Sequence, residues 1–158
     1  MGTQQVLLIV LAVIIVGVAV AVGITMFSTQ SSSANREAIK SDLMAFGSQA
    51  IAFWKAPAGM AGGGKGSPGF GANRAEALRT VGRWIGFDAN GVFTNDNGRY
   101  RIWDGYGSAT LLRIGCVGTQ QGQNPTYNNA WGFGTGRVEV HIFISPANDN
   151  PFTWDIRN

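Results

Sequence analysis

The chain has 158 residues, enough for one domain together with an apolar N-terminal segment. Its net charge of +3 comes from scattered basic residues, and the lack of any basic run argues against a nucleic-acid-binding patch. The single cysteine, Cys116, excludes an intramolecular disulfide, and no Cys/His spacing predicts a structural zinc site. The 23 glycines lie mostly after residue 58, which favours loops and short strands there.

An uninterrupted apolar run occupies the beginning of the chain, from Val6 to Phe27. It carries no charge, its one hydroxyl belongs to Thr25, and the first ionisable side chain of the protein is Arg36. About 20 apolar residues in a helix span the roughly 30 Å hydrocarbon core of a bilayer. The run is longer than a signal-peptide core, and the preceding MGTQQ has no basic residue. We therefore expect a membrane span or a helix buried in an assembly.

The sequence predicts that this helix continues well beyond the apolar run. Apolar residues recur there at helical spacing: Ile39, Leu43, Phe46, Ala50 and Phe53. We expect one helix from about Thr3 to Lys55, ending before Pro57 and roughly 75–80 Å long. Residues 1–27 would be its apolar half, and residues 28–57 its amphipathic half, packed on the rest of the protein.

Two glycines, Gly17 and Gly23, interrupt the apolar half. Each costs up to about 1 kcal/mol of helix propensity relative to alanine. One interpretation is close packing against a neighbouring helix, where small residues let two backbones approach. The other is a site where the helix can stretch or unwind.

Residues 58–158 are predicted to form a globular head. A flexible or irregular Gly-rich loop is expected at residues 58–72, and a short helix in 73–87, where Asn73 and Glu76 have the spacing of a capping box. A long surface loop is expected at 118–136. Strands are predicted at 91–94, 99–104, 109–117 and 137–145, with a further segment at 152–156. Turns at 95–98 and at Asp104-Gly105 separate the first three strands, and Pro146 ends the fourth.

The expected fold class is therefore α+β. The long helix would pack on an antiparallel sheet of three to four strands that is apolar on one face. In the strand at 137–145, Val138, Val140, Ile142 and Ile144 alternate with Glu139 and His141.

A search for chemistry finds no catalytic, cofactor-binding or metal-ligating constellation in the sequence. His141 falls on the polar phase of its strand and is interpreted as a half-exposed residue. Cys116 falls on the apolar phase of its strand and is interpreted as a small buried hydrophobe. The Asp- and Asn-rich segments at 88–91 and 95–98 lack the further carboxylates of a calcium loop and indicate turns. We therefore expect no enzyme activity and no cofactor.

The layout resembles the type IV pilins and related pseudopilins. The resemblance rests on the uncharged apolar N-terminal helix, its amphipathic continuation to Pro57 and the antiparallel sheet. It covers the first 57 residues in sequence, and the head by architecture. It implies a type IV pilin-like fold, processing by a prepilin peptidase and N-methylation of the first residue, here Met1. A cut after Gly2 would instead leave Thr3 first and place the apolar Leu7 at the position where the family has an acidic residue; Met1 is preferred as the first residue because it leaves a polar residue there.

The sequence departs from the family pattern within the helix. Gln5 stands where most members have a glutamate, whose carboxylate pairs with the N-terminal amine of a neighbouring subunit. A glutamine can still accept a hydrogen bond through its amide oxygen, but it cannot form an ion pair. The family proline in the apolar helix is missing, with Gly17 and Gly23 in that region. Met1, Gln5, Gly17 and Gly23 are thus the predicted assembly residues.

The resemblance implies a structural subunit of an extracellular helical filament on a bacterial surface. The chain would first be held as a single-pass precursor in the inner membrane and would then polymerise with identical subunits, through pilus assembly machinery. A pseudopilin of a type II secretion system is one alternative, since its sequence would look similar. A membrane-anchored binding domain is another, from a different functional class.

Overall fold

The computed structural model describes residues 2–66, 69–103, 110–122 and 136–157. It is an α+β fold in which one long helix packs on an antiparallel sheet. Two helices come first, α1 (Thr3–Lys55) and the short α2 (Arg74–Ala77). The strands are β1 (Val92–Thr94), β2 (Gly98–Ile102), β3 (Leu112–Gln121), β4 (Arg137–Ile144) and β5 (Phe152–Arg157).

The sheet has five strands in the order β1-β2-β3-β4-β5, and every neighbouring pair is antiparallel. The expectation of three to four strands was wrong because the short predicted strand at 91–94 and the further segment at 152–156 both form edge strands of the sheet. β1 has only three residues, yet it pairs with β2 from Val92↔Arg101 to Thr94↔Arg99. β5 pairs with β4 along its whole length, from Glu139↔Arg157 to Ile144↔Phe152.

The predicted continuity of the long helix is confirmed, since α1 runs unbroken from Thr3 to Lys55. Its amphipathic half packs on β3 and β4. Four of the five residues of the predicted apolar stripe are fully buried in the core, and the fifth, Phe46, is partly buried against it. Gly47 lies under β5, where a Cβ atom would come within 2.8 Å of the Phe152 ring. The absence of a side chain therefore lets the helix approach the sheet closely.

The core lies between α1 and the inward face of the sheet. The buried sheet residues are Tyr100, Ile102, Leu112, Ile114, Cys116, Val138, Val140, Ile142 and Ile144. Phe46 makes edge-to-face contacts with Phe87, Phe93 and Tyr100, each at 5.3 Å between ring centroids. The prediction that Cys116 is a buried hydrophobe is confirmed, because its side chain is fully enclosed.

The Gly-rich loop after α1 is irregular but is tied to the end of the helix. Ala56 has extended backbone before Pro57, as expected for a residue that precedes proline. The amides of Gly63 and Lys65 then turn back and donate to the carbonyls of Phe53 and Trp54, both at 2.8 Å. These bonds satisfy carbonyl groups that a helix end leaves without partners.

The predicted capping box at Asn73 is only partly formed. Asn73 Oδ1 accepts a hydrogen bond from the Glu76 amide at 3.1 Å, but the Glu76 carboxylate accepts from the amide of Ala72 rather than Asn73. α2 has only four residues and continues into a π-helical turn, Leu78–Gly82. The expected short helix therefore exists with a mixed hydrogen-bond pattern.

Two expectations for the strands need correction. β3 runs to Gln121, so the segment from Gly118 is not all loop, as was predicted for 118–136; residues 123–135 lie outside the described residues, as does the predicted turn at Asp104-Gly105. His141 is fully buried rather than half exposed. The alternation of apolar and polar residues along β4 predicted the wrong exposure for His141, because the centre of β3 and β4 is buried on both faces of the sheet.

Candidate assembly surface

The apolar half of α1 projects from the described part of the head and remains exposed to solvent along its length. Every large apolar side chain from Val6 to Phe27 is 50–74% exposed, and the first buried residue of the helix is Ser32. By length and composition, α1 is long and apolar enough to cross a membrane. The described residues outside α1 leave this surface exposed, and a bilayer or other protein helices could bury it.

Two threonine hydroxyls near this surface are satisfied by the helix itself. The Thr25 hydroxyl donates to the carbonyl of Val22 at 2.8 Å, and the Thr29 hydroxyl donates to the carbonyl of Thr25 at 3.0 Å. A hydroxyl that bonds back to its own helix can enter an apolar environment without losing a hydrogen bond. Thr25 is therefore compatible with burial in a bilayer or in a helix bundle.

Gln5 lies in the first turn of α1 and is exposed. Its backbone amide donates to the carbonyl of Gly2 at 2.9 Å, and its side chain lies on the surface of the helix. Met1, the other predicted residue of this end, lies outside the described residues. The expected contact between the two in neighbouring subunits therefore stays a prediction.

Gly17 and Gly23 lie within regular helix, so α1 shows neither a break nor a stretch at either position. A Cβ atom built on either glycine would meet nothing within 4 Å. Neither glycine is thus required for the fold of the single chain. Their small size leaves two notches on an apolar surface, where another helix backbone could approach closely.

A group of polar contacts lies where α1 begins to pack on the head. Asn35 is buried; its side chain donates to the carbonyl of Asn97 at 2.8 Å and accepts from the amide of Gln120 at 3.4 Å. Ser31 also donates to the side chain of Gln120, at 3.1 Å. A Cβ atom on Gly118 would lie 2.3 Å from the Asn35 side chain, so only glycine allows this approach. The head therefore contacts the helix from about residue 31 onward.

A second polar contact, around Asp42, joins α1 to the turn between β1 and β2. Asp42 Oδ2 accepts hydrogen bonds from the Tyr100 hydroxyl at 2.5 Å and from the side chains of Asn97 and Asn95 at 2.8 and 2.9 Å. Partial burial raises the pKa of Asp42, but these three donors outweigh it and hold the pKa below its usual value. Burial, with the neighbouring Cys116 and Asp42, raises the pKa of Tyr100.

The outer face of the sheet holds a buried polar cluster of Arg113, Glu139 and His141. Arg113 Nε donates to His141 Nδ1 at 3.1 Å, so the other ring nitrogen, Nε2, carries the proton that the Glu139 carboxylate accepts. The Arg113 guanidinium also lies 4.5 Å from the centre of the Trp103 ring and 3.8 Å from Asp155. The cluster links β3, β4 and β5 through side chains.

Sequence reasoning missed both polar groups. The Asp42 partners lie 53 to 58 residues away in the chain, and Arg113 lies 28 residues from His141. No spacing in the sequence encodes such pairs, since they depend on strand register. For the second group, the one local signal was that Glu139 and His141 share a strand face.

The described residues contain no group of three or more His, Cys, Asp or Glu side chains that could hold a metal ion. In the Arg113 cluster the histidine is already hydrogen-bonded on both ring nitrogens. Among the described surfaces, the apolar half of α1 is therefore the one whose burial would contribute the most free energy.

Comparisons of this chain with protein-family models, with curated proteins and with solved structures give no match.

Proposed function

We propose that this chain is the structural subunit of a type IV pilus-like helical filament. In this proposal the chain polymerises through the apolar half of α1, and the inner membrane holds that half before assembly. The observation that carries the proposal is that every large apolar side chain of the apolar half is at least half exposed, on a helix whose second half is packed on the sheet. The heads would form the outer wall of an extracellular filament.

The exposed apolar surface is stabilised by a partner that removes it from water. Burying one large apolar side chain contributes roughly 1.5–3 kcal/mol, so the stretch from Val6 to Phe27 amounts to a driving force on the order of tens of kcal/mol. Because the side chains point to every side of the helix, a partner must surround it. A bilayer and a bundle of identical helices both do so.

The transfer from lipid to bundle is favoured by what the apolar half lacks. It has no charge, and the next ionisable side chain is Arg36, nine residues after Phe27. A permanent anchor usually has Lys or Arg close to its cytoplasmic end, which resist movement out of the membrane. Gly17 and Gly23 would let neighbouring backbones pack closely, since van der Waals contact drives helix association where lipid and side chains are equally apolar.

Gln5 gives the assembled state its polar contact. In a bundle, its amide oxygen would accept a hydrogen bond from the N-terminal amine of a neighbour. A neutral amide costs less to bury than an unpaired carboxylate, so assembly of this subunit relies less on an ion pair.

The test is polymerisation of the purified full-length chain when detergent is withdrawn, observed by sedimentation and negative-stain electron microscopy. The wild-type chain should form uniform filaments. Val13→Glu, which places a carboxylate in the apolar half, should stay unpolymerised. The matched control Ala34→Glu, on an exposed position of the amphipathic half, should still polymerise.

The same experiment separates the alternatives. Dispersed monomers of the wild-type chain would contradict the proposal and favour a membrane-anchored binding domain. Short oligomers of limited length would instead favour a pseudopilin. Equal polymerisation of both glutamate variants would show that the apolar half is not the assembly surface.

A further inference from the structure

A concavity of about 440 Å³ lies at the C-terminal end of α1. Phe53 and the small residues of the Gly-rich loop line one side of it. The π-helical turn and the residues after it line the other, with Arg79, Thr80, Arg83 and Trp84. Its size is within the range of protein sites that hold small molecules.

Two arginines give the concavity a positive wall. Arg79 and Arg83 are both exposed, and neither guanidinium group forms a hydrogen bond or an ion pair with any residue in the described part of the chain. Like charges four residues apart on a helical segment repel each other. The guanidinium group is the side chain best suited to bind a carboxylate or phosphate through two parallel hydrogen bonds. An anion between the two would remove their repulsion.

Trp84 adds a flat apolar wall beside these charges. Its ring contacts the buried Phe53 ring edge to face, with centroids 5.7 Å apart and planes at 63°. Trp84 is nevertheless 49% exposed, so this contact positions the indole without covering it. A half-exposed aromatic ring held in this way can stack on a planar group or on the apolar face of a sugar ring.

The backbone around the concavity is unusual on both sides. The turn Leu78–Gly82 is π-helical, a rare conformation that is found frequently at functional sites. On the opposite wall, Ala61 has φ 59°, the left-handed region that a residue with a Cβ atom rarely adopts. Such strain persists where the surrounding structure enforces it, and it is concentrated at ligand sites.

We propose that this concavity binds a small oxyanion carried on a sugar ring, such as a carboxylated or phosphorylated sugar. Arg79 and Arg83 hold the anionic group, and Trp84 stacks on the ring. One indole and two guanidinium groups suit a single charged sugar residue. A nucleic-acid strand would require a longer row of cations and aromatic rings.

The site is independent of the proposed filament. About 39 Å of helix, at 1.5 Å per residue, separates Phe53 from Phe27 at the end of the apolar half. Binding can therefore be measured on the full-length chain in detergent micelles, whether or not the chain polymerises.

The test is isothermal titration of the full-length chain with glucuronate, glucose 6-phosphate, glucose and inorganic phosphate. Saturable binding of glucuronate or glucose 6-phosphate is expected, and the stronger of the two identifies the anionic group. Glucose, which lacks the anion, and inorganic phosphate, which lacks the ring, should each bind at least about tenfold more weakly.

Three variants and one control locate the site. Arg79→Gln, Arg83→Gln and Trp84→Ala should each weaken binding by about tenfold or more. Lys65→Gln removes the same charge from an exposed residue outside the concavity and should leave binding unchanged. The near-ultraviolet circular dichroism of each variant checks that the head stays folded. Absence of saturable binding to both anionic sugars, or an equal loss in Lys65→Gln, would overturn the proposal.

Discussion

Asp42 is the residue that ties the long helix to the β1–β2 turn, through three donors on a single carboxylate oxygen. Replacing it by asparagine removes the charge, and we expect the head to lose about 1–3 kcal/mol of stability. Denaturant unfolding of the chain in micelles, followed by near-ultraviolet circular dichroism, measures this loss. Asp96→Asn, an exposed acidic residue of the same turn, is the matched control and should change stability little.

The same residue makes stability depend on acid. The pKa of Asp42 is lower in the folded chain than its ordinary value of about 3.9. The contribution of Asp42 to the free energy of unfolding is therefore complete above about pH 3.9, and it is lost as the pH falls through the lowered pKa of the folded chain. Asp42→Asn should remove this part of the acid sensitivity below about pH 4. A variant that loses stability with acid as steeply as the wild-type chain would contradict this role.

The buried Arg113–His141–Glu139 cluster predicts strong coupling between neighbouring residues. His141→Phe keeps a ring beside Trp103 but removes the donor to Glu139, which is fully buried. We expect a loss of about 3–5 kcal/mol, because a buried carboxyl group is left without its partner. Adding Glu139→Leu should recover most of this loss. A double-mutant cycle in denaturant measures the coupling, and additive losses would show that the two side chains act separately.

At this scale the sequence predicted apolar residues better than polar ones. Cys116 was predicted correctly because alternation along a strand depends on its nearest neighbours in the chain. His141 was not, because its burial depends on a partner in another strand and on a sheet that is enclosed on both faces. The partners of Asp42 could not be predicted for the same reason.

At the scale of elements, α1 was predictable because its signals are local. The apolar run and the stripe from Ile39 to Phe53 lie within α1, and Pro57 follows directly after its cap residue. The sheet was predicted less completely. The strand at 91–94 was expected, but the segment at 152–156 became a full strand, β5, and β3 runs on to Gln121, because both depend on pairing with β4 rather than on their own composition.

Gly17 provides the test of helix packing at this scale. Gly17→Leu should leave the fold of the chain unchanged, because a Cβ atom at this position meets nothing within 4 Å. It should also insert into membranes at least as well, since leucine is more apolar and a better helix former. Polymerisation should fall strongly, because the larger side chain separates neighbouring backbones.

The matched control for this test is Val16→Leu, which adds bulk where a branched side chain already stands. Its polymerisation should resemble that of the wild-type chain. Sedimentation after detergent withdrawal measures both variants. If Gly17→Leu polymerises as readily as Val16→Leu, the glycine is not a packing notch.

At the scale of the whole molecule, the chain joins two parts that suit different environments, water for the head and an apolar medium for the apolar half of α1. The head has a closed core of apolar side chains between α1 and the sheet, and its helix is fixed from about residue 31 onward. The apolar half beyond it is regular helix with an exposed apolar surface. A bilayer and a bundle of identical helices would each bury that surface, and these are the two states that the proposed filament assembly requires.

The most direct test is a helical reconstruction by electron cryomicroscopy of the polymer that the full-length chain forms. The account predicts that residues 3–27 of neighbouring subunits pack together at the centre, with helix axes about 8–10 Å apart. The heads should lie outside, and the Gln5 side chain should contact a polar group of a neighbour. A polymer held together by its heads alone, with the apolar helices in detergent or lipid, would contradict it.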